Sequence, residues 1–216
     1  MAKSNDLIRR KRIMMERHLI GRGIRDEAVL SAIETTPREM FVSQEQRGCA
    51  YDDNPLPIGL GQTISQPYIV ALMLEKLRLT KGDTVLEVGC GSGYQAAVMA
   101  RLASDVYTIE IIDSIAAIAI ERFRSLGSNN IHLKVGDGNF GWSENGPYNK
   151  IIIAAAASSV PSALEEQIAE GGKIIMPVGD TTYQELVLGR KLNNKTTYVH
   201  LNAVRFVPLL GDVDKI

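Results

Sequence analysis

Glu87, Gly89, Gly91 and Gly93 are the residues of this chain whose types and spacing most directly suggest chemistry. They lie within Thr84-Val85-Leu86-Glu87-Val88-Gly89-Cys90-Gly91-Ser92-Gly93-Tyr94. The apolar run Val85, Leu86, Val88 reads as a strand covered on both faces, the kind found in parallel sheets. Glycine lets the chain turn sharply and brings backbone against a ligand with no Cβ in the way. Glu87 stands near the strand's carboxyl end, where open α/β sheets bind their ligands. In the dinucleotide fingerprint a third glycine follows the second by three positions, and here that position holds Tyr94. The spacing is wrong for a pyrophosphate.

Glycines alternating after an acid instead resemble the turn of S-adenosylmethionine-dependent methyltransferases, and the pattern favours a methyl donor over a nicotinamide. Glu110 closes the next strand, Val106-Tyr107-Thr108-Ile109, where a carboxylate would accept hydrogen bonds from both ribose hydroxyls of either cofactor. Asp137, between Gly136 and Gly138, ends a third strand. In a doubly wound order the three acids share one rim. Asp137 is then an acceptor for the exocyclic amine of adenine, or a turn former, and Gly138 lets backbone lie close to the base.

The elements that must position these residues follow from the pattern. A chain of 216 residues with 45% hydrophobic content can bury a sizeable core. The first fifty residues read as a helical extension, broken at Gly21-Arg22-Gly23 and restarted by an Asp26 cap. Residues 51–61 read as an ordered loop that Pro55 and Pro57 keep from being helical. Ser65 is placed to cap a helix that has Pro67 in its first turn and an apolar face of Ile69, Val70, Met73, Leu74 and Leu77. From Thr84 strands and helices alternate, as in a doubly wound sheet with right-handed crossovers. A helix after Pro161 is expected to stop at Gly171-Gly172, with a strand from Lys173 to Val178. Glu185 to Leu192 and Thr196 to Phe206 form a hairpin around Asn193-Asn194-Lys195.

The expected fold class is therefore α/β: a mostly parallel, seven-stranded, Rossmann-like methyltransferase sheet with helices on both faces. It is read as one domain over 1–216, with helices in 1–50, a substrate and cofactor loop in 51–68, and the sheet with its antiparallel hairpin in 84–216.

Composition narrows the function. A net charge of −1 gives no general attraction to nucleic acid or anionic membranes. The basic run Arg9, Arg10, Lys11, Arg12, with Arg17, Arg22 and Arg25 beyond it, reads as a solvated helix face. No apolar stretch approaches signal-peptide or membrane-span length. Cys49 and Cys90 form neither a metal-spaced pair nor a disulfide framework, which fits a reducing cytoplasm. Cys90, in a turn before a helix, is either a small packing residue or a thiol of lowered pKa. His18, His132 and His200 lack ligand spacing, so no metal is expected. No Ser-His-acid arrangement is readable, which disfavours a hydrolase.

The segment Asp53-Asn54-Pro55-Leu56-Pro57-Ile58-Gly59, continuing Gly61-Gln62-Thr63-Ile64-Ser65-Gln66-Pro67-Tyr68, closely resembles protein-L-isoaspartate O-methyltransferases. Further matches follow in order: residues 85–94, Ile109-Glu110, Gly136-Asp137-Gly138, Gly141-Trp142, Pro147-Tyr148, Gly171-Gly172, Pro177-Val178-Gly179 and Val204-Arg205-Phe206-Val207-Pro208-Leu209. The resemblance covers nearly the whole chain.

It implies methyl transfer from S-adenosylmethionine to the free α-carboxylate of an isoaspartyl residue in peptides and damaged proteins, giving S-adenosylhomocysteine. The ester re-forms a succinimide, and repeated cycles restore aspartate. Isoaspartyl proteins are then the partners, with no nucleic acid or membrane, and the chain acts as a monomer. By the same resemblance Ser65 is the catalytic serine, with Thr63, Ile64, Ser65, Gln66 and Tyr68 near the cofactor together with Glu87, Gly89, Cys90, Gly91, Gly93, Glu110, Asp137 and Gly138. Ile58, Ser65, Val207 and Pro208 are the substrate residues.

A carboxylate is ionised near pH 7, since its reference pKa is about 4, so no general base is needed to make the nucleophile. Cys90, Asn149, Ala157, Ser158 and Leu210 depart from the family pattern and put the loop after Ile153 in question. A small carboxylate acceptor, or a module that binds without turnover, are the alternative readings.

Overall fold

The computed structural model describes residues 2–211. Helix α1 (Ala2–Ile13) continues through a wider turn, Met14–Leu19, and a tight one, Ile20–Arg22, that ends at Gly23 with φ +99°. Asp26 then caps α2 (Glu27–Thr35), its carboxylate accepting the N–H groups of Ala28 and Val29.

Residues 51–61 are not all loop. Leu56–Gly59 (β1) and Gln62–Ile64 (β2) pair as a small antiparallel hairpin. Its tip, Gly59-Leu60-Gly61, has three consecutive positive φ angles, two supplied by glycines and the middle one, +51°, by Leu60. Helix α3 (Pro67–Leu77) has Pro67 in its first turn, but its cap position is Gln66 and no side chain caps it. Ser65 lies one residue outside the helix, so the expected capping role is replaced by a place on the hairpin's exit.

Beyond it, β3 (Thr84–Val88), α4 (Tyr94–Met99), β4 (Asp105–Glu110), α5 (Asp113–Ser125), β5 (Ile131–Val135) and β6 (Tyr148–Ile153) alternate as expected. Helix α6 (Ser162–Glu166) is shorter than expected, and β7 (Ile168–Gly179) runs through Gly171-Gly172 instead of starting after it. These glycines sit at an irregularity, where pairing with β6 steps from Tyr148↔Ile168 to Lys150↔Lys173. A Cβ at Gly172 would lie 2.8 Å from the Ala169 carbonyl and 2.9 Å from that of Asn149. Close backbone approach, not helix termination, explains the pair. β8 (Gln184–Leu192) and β9 (Lys195–Val204) complete the hairpin, with Asn193 and Asn194 at positive φ in its two-residue turn.

The seven strands lie in the order β5-β4-β3-β6-β7-β8-β9, with β8 antiparallel to both its neighbours and the other pairings parallel. Successive residues feed two cores. Val85, Ile152 and Ile175 pack toward α2–α5, while Leu86, Val88, Ile151, Ile153 and Ile174 pack with Tyr148 and Leu164 on the opposite face. The strand order reverses direction at β3, between β4 and β6, which puts a crevice at their carboxyl ends.

Two departures from the family pattern find partners here. The Asn149 side-chain oxygen accepts the Thr84 N–H at 2.8 Å. The Ala157 carbonyl accepts the Gly179 N–H at 2.9 Å, so the loop after Ile153 is tied to β7.

Candidate active site

A cleft of about 760 Å³, partly open to solvent, fills that crevice. Its walls are residues 88–92 after β3, residues 109–112 at the end of β4, Gly138, Ala154-Ala155, the hairpin strand and exit at residues 62–65, and residues 207–210.

The glycine turn is built by backbone. The N–H groups of Gly89 and Cys90 both donate to the Ile109 carbonyl, at 2.9 and 3.1 Å. Gly89, Gly91 and Gly93 have φ of +89°, +54° and +87°, which bulky residues rarely adopt. Gly89 and Gly91 face the cleft. Gly93 does not line it: a Cβ there would lie 2.7 Å from the Phe123 ring, so this glycine serves helix packing.

The three strand-end acids separate in the structure. Glu110 is buried yet lines the cleft. Its Oε2 accepts the Gly91 N–H at 2.7 Å and its Oε1 the Ile112 N–H at 3.0 Å. A carboxylate offers about four acceptor sites, so capacity remains toward the cleft.

Glu87 is fully enclosed and off the cleft wall, because Thr108 of β4 and Gln95 of α4 close over its carboxylate. It accepts the Thr108 hydroxyl at 2.5 Å and the Gln95 amide at 3.2 Å. Burial pushes its pKa up to about 8, against these two hydrogen bonds and with a push from nearby Glu110. Glu87, expected at the cofactor, lies beneath the turn and is not among the residues that line the cleft.

Asp137 stands at the rim, off the wall, and one carboxylate oxygen accepts both the N–H and the side-chain amide of Asn139, at 2.9 and 2.8 Å. Cys90 is buried, and desolvation raises its thiol pKa well above the usual value, which removes the reactive-thiol reading.

A second hollow, about 1190 Å³ and open, adjoins the first. Thr63, Ser65, Ala154 and Val207 line both, so these four form the passage between them. Gln66 and Tyr68 line only the second hollow, together with residues 202–206. Ile58 packs under the glycine turn, 3.5 Å from where a Gly91 Cβ would lie. The segment containing Val207 and Pro208 is stitched across the top: the Ala156 N–H donates to the Val207 carbonyl at 2.8 Å, and the Leu209 N–H to that of Ala156 at 2.7 Å.

Sequence reasoning missed several wall residues. Ile111 presents 39% of its surface beside Glu110, and its place directly after the strand-end acid was the available signal. Arg22, read as part of a solvated run, stacks 3.5 Å over the Tyr68 ring and donates to Asp53 at 2.7 Å, at the edge of the second hollow.

The chemistry of the cleft suits a cationic, partly apolar ligand. Its wall holds one carboxylate, no lysine or arginine, glycine backbone at the turn and an exposed apolar side chain. A sulfonium nucleoside fits that set; an extended polyphosphate would find no side-chain cation. Among the described residues no cluster of His, Cys, Asp or Glu could hold a metal ion, and no helix is long and apolar enough to cross a membrane.

Comparison with known proteins gives the family. The family described as protein-L-isoaspartate(D-aspartate) O-methyltransferase matches residues 9–214. A protein-L-isoaspartate O-methyltransferase of Opitutus terrae is 50% identical over 196 residues, 90% of this chain and 84% of the relative. Protein-L-isoaspartate O-methyltransferase 2 of Pelobacter propionicus is 47% identical over 204 residues, 94% of this chain and 91% of the relative. Among solved structures, a Plasmodium falciparum chain of the same type, in complex with S-adenosyl-L-homocysteine, superposes with a TM-score of 0.82 at 27% identity, covering 93% of this chain and 98% of that one. On fold, site and sequence together, this chain belongs to the protein-L-isoaspartate(D-aspartate) O-methyltransferase family.

Proposed function

We propose that the chain methylates the free α-carboxylate of L-isoaspartyl residues in damaged proteins and peptides, using S-adenosylmethionine, and so starts their return to aspartate through a succinimide. The observation that carries this reading is the meeting of two hollows at Ser65, Thr63, Ala154 and Val207. One is an acid-bearing cleft at the strand ends; the other is an open hollow lined by residues 202–207 and the hairpin exit.

When bound in the cleft, S-adenosylmethionine supplies an electrophilic methyl group on a positively charged sulfur. Glu110 would accept from the ribose hydroxyls with its remaining lone pairs, while its bonds to the Gly91 and Ile112 N–H groups keep the turn in shape. Gly89, Cys90 and Gly91 offer close backbone approach, and Gly138 and Ile111, with Asp137 at the rim, would hold the base. Glu87 acts indirectly, by bracing β3 against β4 and α4.

The acceptor is already an anion at neutral pH, so the protein's work is alignment and removal of water. Ser65 donates a hydrogen bond that holds the carboxylate at the passage. Thr63, Ala154 and Val207 wall that passage, with Ile64 and Pro208 on its cleft side and Gln66 and Tyr68 on its groove side. The two free thiols support the reducing cytoplasm as the place of action.

The test is transfer of tritiated methyl from the donor to an isoaspartyl peptide and to its aspartyl twin. Strong preference for the isoaspartyl form is expected, and equal labelling overturns the reading. Small carboxylic acids that outcompete the peptide would move the acceptor class, and binding without transfer would leave a non-catalytic module.

A further inference from the structure

Arg38 has no surface open to solvent and takes part in none of the ion pairs formed among the described residues. An unpaired buried charge is costly, so packing alone does not account for a guanidinium here. What it touches does. Its Nε donates to the Ala50 carbonyl at 2.8 Å and one terminal nitrogen, Nη2, to the carbonyl of Ser65 at 2.7 Å. The guanidinium carbon lies 4.7 Å from the centre of the Tyr94 ring. Tyr94 is the first residue of α4 after the glycine turn, and it lines the donor cleft.

One rigid fork therefore joins three segments: the turn ending at Ala50, the hairpin exit at Ser65, and the start of α4. The fork's own base is held. Phe41 packs edge-on against Tyr94, with ring centres 5.4 Å apart at 71°, and the Tyr51 hydroxyl donates to Glu39 next to Arg38. The remaining nitrogen, Nη1, and the Tyr94 hydroxyl are both sealed from solvent with no hydrogen-bond partner. Lysine, whose donors all sit on one nitrogen, lacks the planar fork that spans the Ala50 and Ser65 carbonyls beside the ring.

We propose that Arg38 is a positioning residue, whose fork fixes the Ser65 peptide relative to the donor turn and so sets the aim of the serine at the incoming carboxylate. This rests on the reading that Ser65 meets the substrate. Arg38 itself touches neither donor nor acceptor, so its effect must pass through Ser65.

A double-mutant cycle tests it, with turnover of an isoaspartyl peptide and affinity for S-adenosylhomocysteine measured on each protein. Arg38→Lys is expected to lower kcat about tenfold or more, with the homocysteine Kd within about threefold of the parent. In a Ser65→Ala background the same change should cost less than about threefold, because the group it aims is gone. Equal fractional losses in both backgrounds, unchanged kcat, or a loss that tracks S-adenosylhomocysteine affinity would overturn the proposal.

Should Arg38→Lys fail to fold, Phe41→Leu loosens the Tyr94 platform while keeping the fork. Its kcat should fall in the parent and not in the Ser65→Ala background, and an unaltered kcat overturns the idea. A parent protein that labels no isoaspartyl peptide would instead overturn the functional reading itself.

Discussion

Glu110 grips Gly91: its Oε2 accepts the glycine N–H at 2.7 Å while its Oε1 accepts the Ile112 N–H at 3.0 Å. The acid that faces the cleft is thus also the clasp of the turn on the neighbouring strand. Ligand contact and turn geometry are one device here, and altering either alters both.

Replacing Glu110 by alanine should therefore weaken donor binding beyond a single lost contact. Charge-assisted hydrogen bonds are worth roughly 1.5–3 kcal/mol each, so Kd for S-adenosylhomocysteine should rise about tenfold or more. Isothermal titration of parent and variant measures it. An unchanged Kd would put the ribose elsewhere.

Glu87 gives the protein a pH signature. Its folded pKa is raised to about 8 from the ordinary 4.5, so between these values the folded chain holds a proton that the unfolded chain has released. The associated stability is fully present below about pH 4.5 and is lost progressively as pH rises toward and through 8. A raised carboxyl pKa thus costs stability as pH climbs from about 4.5 to about 8, and the loss levels off above that. Glu87→Gln keeps the hydrogen-bonding shape without the titration. Denaturant melts at pH 6 and pH 9 should show a smaller drop in the variant than in the parent.

Ser65→Ala should lower kcat roughly 10- to 100-fold while leaving S-adenosylhomocysteine affinity within about threefold. Because Ser65 caps no helix here, melting temperature should move little. A large fall in stability with modest loss of turnover would assign the serine a structural role instead.

The thiols should separate cleanly. Cys49 is exposed, while Cys90 is buried with its pKa pushed up. An aromatic disulfide reagent should titrate one thiol in the native protein and the second only on unfolding. Rapid reaction of both would mean that the turn opens.

Gly93→Ala should destabilise by roughly 1–3 kcal/mol, since the new methyl meets the Phe123 ring at a φ that disfavours any side chain. Thermal melts with Phe123→Leu as a second change should recover part of the loss.

The alternating strands and helices from Thr84 onward could be read from the chain because local periodicity encodes them, and Glu110 because it closes one such strand. Other features depend on partners far away in sequence. Gly171-Gly172 looks like a helix stop until the neighbouring carbonyl of Asn149 is seen beside it. Residues 56–64 are too short and proline-rich to signal a hairpin, although the glycines at its tip specify the turn. Glu87 and Glu110 read alike as strand-end acids and share one face of the sheet; only the packing of Gln95 and Thr108 over Glu87 shows that Glu110, at the strand's end, is the one that reaches the cleft. Arg38 carries no motif at all; its meaning lies in Ala50, Ser65 and Tyr94, which three separate segments bring to it.

The strap formed by Val207 and Leu209 across Ala156 has a consequence for biosynthesis and handling alike. The crevice opened by the glycine turn gains its roof only when residues far downstream fold back upon it. A nascent chain still missing that stretch would have a floor for the nucleoside and no ceiling, and a bulky fusion placed just after it would press on the same roof.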